Sequence, residues 1–176
     1  MATLKVPVTE QDHVQGSADA PVTLVEYGDY ECPHCAHAHP IVKRLQKHFG
    51  AHLRFVFRNF PLKEVHPNAE SAAESAEFAG VHDRFWEMHD GIFENQPALG
   101  LPLLIELAEA LELSVASLRA ALETQQFNAR VREDFRGGVR SGVNGTPTFF
   151  VNGQRHDRPF EFADLVEAIE LRIEEE

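Results

Sequence analysis

Cysteine is nearly absent: the 176 residues hold two, at positions 32 and 35. Two thiols three apart close no long loop, so they are excluded as a structural disulfide framework. Neither is left over for a second bridge, and all thiol chemistry sits in one place. Long apolar runs are also missing. None approaches the roughly 18–20 residues of a membrane helix, which excludes membrane insertion of this sequence. Basic residues are few, 16 against 28 acidic ones, for a net charge of −12. Without a Lys/Arg cluster to neutralise phosphates, nucleic-acid binding is excluded. Residues Met1 to Gln15 show no basic stretch followed by an apolar one, so no secretory signal is read. A cytoplasmic home fits, and so does a periplasmic or extracytoplasmic one for a mature form. No internal repeat is found.

What is present is ordinary for a globular chain: 43% apolar and 25% charged residues, with 13 Phe and one Trp. The length suits one domain, or one domain carrying an insertion.

The run Val22-Thr-Leu-Val-Glu-Tyr27 reads as a buried strand. Gly28 and Asp29 end it, and a helix is predicted from Cys32-Pro33, since Pro suits a first helical turn. Ala36, Ile41, Val42, Leu45 and Phe49 recur at near-helical spacing until Gly50, with Pro40 inside as a kink. Leu53, Phe55 and Phe57 alternate with Arg54 and Arg58, a second strand, giving a βαβ unit with a parallel pair. From about Pro67 to Gly142 the periodicity is helical, with segments at Asn68–Gly80, Arg84–Glu94, Leu103–Leu111, from Ser114, and Thr124–Val139. The Gly137-Gly138 pair reads as a helix break. Thr148–Val151 is a strand, Asn152-Gly153 a two-residue hairpin turn, and Gln154–His156 the return strand. Phe162, Leu165, Val166, Ile169 and Ile173 mark a terminal amphipathic helix. Its end, Glu174-Glu175-Glu176, is expected to fray, because acids oppose the dipole there.

The chemistry concentrates in Cys32-Pro33-His34-Cys35, at a strand-to-helix junction. A thiolate attacks a disulfide to give a mixed disulfide, and a second thiol resolves it. A spacing of i to i+3 puts the second sulfur one helical turn away. Cys32, at the helix start, meets free N–H groups and the macrodipole, which favour its anion over the usual thiol pKa of about 8.5. Cys32 is therefore the expected nucleophile and Cys35, less exposed, the resolver. His34 between them stabilises the thiolate further, which makes the disulfide more oxidising. Glu26 shares the face of Val22 and Leu24, so it is expected to be buried and able to move protons for Cys35.

Cys-Pro-His-Cys after a βα turn resembles the DsbA-like thiol–disulfide oxidoreductases of the thioredoxin superfamily. Glu26 stands where thioredoxin-like proteins place a buried carboxylate, and Pro40 where thioredoxin has its helix-kinking proline. Gly145-Thr146-Pro147-Thr148 looks like the family's cis-proline loop. Phe60-Pro61-Leu62 and Phe85-Trp86-Glu87-Met88-His89 match as well. The resemblance, from about Ala20 to Ile173, implies an α/β, thioredoxin-like fold with an inserted all-helical subdomain. Its thioredoxin part would cover about 20–62 and 143–176, and the insertion about 65–142. It further implies that Thr146 and Pro147 dock an extended substrate strand-fashion. No cofactor is implied beyond a redox-active Cys32–Cys35 disulfide. Partners would be protein thiols and disulfides, and a redox protein that resets the pair. The expected activity is dithiol oxidation with disulfide donation. Thr146, where the strong oxidase has valine, keeps a reductase or isomerase in view.

His34, His37 and His39 crowd the cysteines and raise a second class, a Cu or Zn carrier. The preferred reading is an exposed helix face with no metal, and the other seven histidines at the surface. A glutathione-dependent transferase ranks below both, because it needs no second cysteine. Phe85, Trp86 and Phe93 read as core of the insertion.

Overall fold

The computed structural model describes residues 2–175; Met1 and the fraying expected of Glu176 lie outside them. The chain divides into two compact units. The first comprises residues 1–28, 37–58 and 136–176, and the second residues 29–36 and 59–135.

The first unit is built on a five-stranded sheet of order β1-β3-β2-β4-β5. β2 (Val22–Gly28) is central and almost wholly buried, as its β-branched and aromatic content requires. α1 (Pro33–Phe49) follows it and leads through a 3₁₀ turn at Gly50–His52 into β3 (Leu53–Asn59), the sheet neighbour of β2. Gly50 has φ of +53°, a left-handed stop that glycine supplies without steric cost. β4 (Thr148–Val151) pairs antiparallel with β2, Tyr27 opposite Thr148 and Glu26 opposite Phe149. Asn152 and Gly153 take φ of +46° and +83°, the turn their dipeptide demands, and β5 (Gln154–Arg155) returns. α7 (Phe162–Glu174) packs on β2 and β4 through buried Leu165 and Ile169.

The second unit holds α2 (Ala69–Gly80), α3 (Phe85–Glu94), α4 (Leu101–Ala110) and α5 (Val115–Glu123), with α2 against α3, α4 and α5. Ser114 caps α5 by accepting the Ser117 N–H, the cap that its sequence predicts. Ala69, Ala72, Ala73, Ala76 and Ala79 are buried along α2, so small side chains let its neighbours approach closely. Phe60 and Phe135 stack at 4.3 Å between centroids.

Three expectations are corrected. β1 (His13–Gln15), unforeseen in a polar stretch, pairs antiparallel with β3, His13 opposite Phe57. The predicted helix 124–139 begins later: Thr124 caps α5, Gln125 turns with φ of +53°, and α6 runs Asn128–Arg140. The Gly137-Gly138 pair does not break α6. A Cβ on Gly137 would stand 3.0 Å from Val6 Cγ2, so this glycine serves close packing rather than helix termination.

Candidate functional site

The redox motif lies at the start of α1, in the second unit. The Cys32 carbonyl accepts from the N–H groups of Cys35 and Ala36, both at 3.1 Å, so Cys32 is the residue from which the helix begins. Pro33 occupies the first helical position, where no donor is lost. Cys35 therefore sits one turn in, close to Cys32. Both are buried, Cys35 at 0% exposure and Cys32 at 4%. His34 is exposed.

Each residue leading into the motif has its own partner within this unit. Asp29 is buried, and its N–H meets Cys35 Sγ at 3.4 Å. Its carboxylate accepts from Leu62 N–H (2.9 Å), Glu31 N–H (2.7 Å) and His66 Nδ1 (2.8 Å). The Tyr30 hydroxyl bonds His89 Nδ1 at 2.9 Å. The Glu31 carboxylate accepts both the main-chain and the side-chain N–H of Asn68. Gln96 donates its amide to the carbonyls of Tyr30 (2.8 Å) and Cys32 (2.9 Å). Sequence reasoning missed this clamp: its members from beyond α1 lie 33 to 66 positions from their partners, and polar loop residues carry no periodicity to betray them.

The remaining expected site residues lie in the first unit. Glu26 is buried at 3% exposure, as its alternation with Val22 and Leu24 predicts. The Thr146–Pro147 peptide is cis. The β2–β4 register sets Thr148 opposite Tyr27, so Pro147 immediately precedes a residue paired near the end of β2. Thr148 Oγ1 donates to the Gly145 carbonyl at 2.7 Å, closing the loop on itself.

Two histidine expectations are corrected. His37 is exposed and bonded to Glu161 at 2.9 Å, but His39 is buried. It falls on the α1 stripe of Cys35, Ala38, Val42 and Leu45, and helical spacing carries it inward. His89 is also buried rather than at the surface, ringed by Tyr30, Phe85, Trp86 and Phe93. Phe85 and Phe93 are core residues, as expected.

Among the described residues, no helix is long and apolar enough to cross a membrane. The chain is 46% identical over 167 residues to the Na(+)/H(+) antiporter NhaA 1 of Salinispora arenicola, covering 94% of this chain and 26% of that protein. The chain thus spans about a quarter of the length of the curated relatives it matches. Among solved structures it is similar to oxidised BdbD from Bacillus subtilis, at TM-score 0.88 and 28% identity, with 98% of both chains covered. Wolbachia pipientis alpha-DsbA1 shares the fold at TM-score 0.84 and 18% identity, covering 98% of this chain and 95% of that one. So does MdbA, a thiol-disulfide oxidoreductase from Actinomyces oris, at TM-score 0.74 and 18% identity, covering 90% and 84%. The family model Thioredoxin_4, described as thioredoxin, matches residues 8–171. With a Cys-Pro-His-Cys helix start, a thioredoxin-like sheet and a family match over nearly its whole length, the chain belongs to the thioredoxin family as a DsbA-like member.

Proposed function

We propose that the chain exchanges disulfides with protein substrates through Cys32 and Cys35, acting as a dithiol oxidase and disulfide donor. The observation that carries this reading is Cys32 at the first turn of α1 with Cys35 one turn further in.

In the oxidising direction, a substrate thiolate attacks Cys32 of the Cys32–Cys35 disulfide. That bond breaks, and Cys35 leaves as a thiolate and takes up a proton. A second substrate thiolate then attacks its partner sulfur in the mixed disulfide and expels the Cys32 thiolate. Two electrons pass from substrate to the pair. The helix start favours the Cys32 anion, because the positive end of the α1 macrodipole lies there. Pro33 and His34 tune that anion. Glu26, buried, holds or receives the proton that Cys35 exchanges. Thr146 and Pro147 receive an extended substrate segment by main-chain hydrogen bonds. A separate redox protein resets the pair, and no bound cofactor is needed. The stretch of about 65–142 is read as an insertion into the thioredoxin fold.

The test is turnover of a reduced, unfolded protein substrate, with the reduction potential measured against glutathione buffers. Cys32→Ser is expected to abolish turnover, and Cys35→Ser to accumulate mixed disulfides. Full activity of Cys32→Ser sinks the reading. A potential near about −120 mV makes the chain a donor, and one near about −270 mV makes it a reductant. Thr146 beside Pro147 favours testing disulfide isomerisation in the same assay.

A further inference from the structure

We propose that His66 is a positioning residue for the resolving step, acting through Asp29 on the Cys35 sulfur; the inference rests on the exchange activity proposed above. The Asp29 main-chain N–H reaches Cys35 Sγ at 3.4 Å. An N–H aimed at sulfur favours the thiolate over the thiol. Yet the same residue carries a carboxylate that is itself buried, at 1% exposure. A buried negative charge so near opposes ionisation of Cys35.

Three N–H groups answer that charge. Glu31 N–H meets Oδ1, while Leu62 N–H and His66 Nδ1 both meet Oδ2. A carboxylate only accepts, so the His66 Nδ1 carries the hydrogen. Each donor draws charge toward itself and away from the sulfur. Two of the three are main-chain groups that the loop geometry supplies whatever the side chains. His66 is the side-chain donor, brought in from the segment before α2.

In the resolving step the Cys35 thiolate attacks Cys32 in the mixed disulfide. The Cys32–Cys35 bond forms, and the substrate sulfur leaves as a thiolate that takes a proton from water. The pair is oxidised by two electrons and the substrate disulfide is reduced. In the reverse direction the same environment stabilises Cys35 as leaving group. His66 thus governs how readily Cys35 carries negative charge, while attack by Cys32 is left to the helix start.

The experiment follows the reduced full chain with oxidised glutathione, by quenched flow and mass spectrometry. Cys32-bound glutathione forms in the first step and disappears in the second. His66→Ala is expected to slow disappearance about tenfold, the loss of one charge-assisted hydrogen bond, with formation unchanged. His66→Asn, whose amide N–H stands near the place of Nδ1–H, restores the second step. In an Asp29→Asn background, where no carboxylate charge remains, His66→Ala has no further effect. The proposal is overturned if His66→Ala leaves disappearance unchanged or slows both steps alike. It is equally overturned if Asn fails to rescue, or if the Asp29→Asn background stays sensitive. A wild-type chain that neither forms nor resolves the mixed disulfide removes the exchange activity itself, a different failure.

Discussion

Arg58 and Asp12 face each other through two hydrogen bonds, Nε to Oδ1 at 2.8 Å and Nη2 to Oδ2 at 3.0 Å. Both side chains are nearly buried, at 3% and 9% exposure. Nη1 also donates to the Val6 carbonyl and the Tyr27 hydroxyl, so one guanidinium ties the N-terminal segment and β2 to β3. Burial works against its charge, but Asp12 and Tyr27 outweigh burial and raise its pKa. Removing one partner strands a charge in a site short of water. Asp12→Ala is expected to lose about 3 kcal/mol in urea unfolding. A loss within the range of an exposed ion pair, under about 1 kcal/mol, would show that the pair holds nothing together.

Glu74 on α2 is buried, at 4% exposure, and its Oε1 has no hydrogen-bond partner. Burial first, then the charge of Glu70, pushes its pKa up, against a hydrogen bond from Asn128. A carboxyl with a folded pKa above its unfolded value withdraws no stability in acid. It withdraws stability as pH rises from the unfolded value through the folded one. Glu74→Gln is therefore expected to stabilise at pH 7, with the gain vanishing below about pH 4. Guanidinium midpoints at the two pH values decide it. A gain that persists unchanged in acid rules out titration as its cause.

Gly28 closes β2 against two neighbours. A Cβ built there would lie 2.5 Å from Phe57 Cε2 and 2.9 Å from Glu26 Oε2. Both neighbours are buried, so neither side chain has free space to retreat into. Gly28→Ala is expected to destabilise by about 1–3 kcal/mol, as overpacked cores do. A thermal midpoint at or above the wild type would mean that Phe57 re-packs without strain.

Gln96 holds two carbonyls, of Tyr30 and Cys32, through one amide. Gln96→Ala leaves both acceptors without this donor and is expected to cost about 1–2 kcal/mol. Amide hydrogen exchange around Tyr30–Cys35 should quicken, since the segment loses its tether to the 3₁₀ turn at Gln96–Ala98. Unchanged protection would assign the hold on this segment to Asp29, Glu31 and their partners instead.

Much of the molecule was legible in the residues alone. β2, α1 and β3 announce themselves because a buried strand is a β-branched run and a half-buried helix repeats every three to four residues. Cys32 and Cys35 needed no fold to be paired, since i to i+3 at a helix start fixes their nearness. Glu26 was placed inside by alternation. The Asn152-Gly153 turn was written in the two residues that tolerate positive φ. All of these are local rules, in which cause and consequence lie within a few positions.

Tertiary structure decided the rest. The short strand β1 exists because β3 offers it an edge, not because His13-Val-Gln15 prefers to be extended. α6 runs through Gly137, and Val6, far away in sequence, packs so close there that a Cβ would stand 3.0 Å from its Cγ2. His39 and His89 are buried because neighbouring elements cover their helix faces, against the usual preference of the residue type. Above all, the partners of Asp29, Tyr30, Glu31 and Cys32 were invisible. Hydrogen bonds between single polar residues distant in sequence leave no period to read. The sequence by itself determined the reactive sulfurs and their spacing, while the folded chain alone decided what surrounds the approach to them, because partners so remote are brought into reach only by packing.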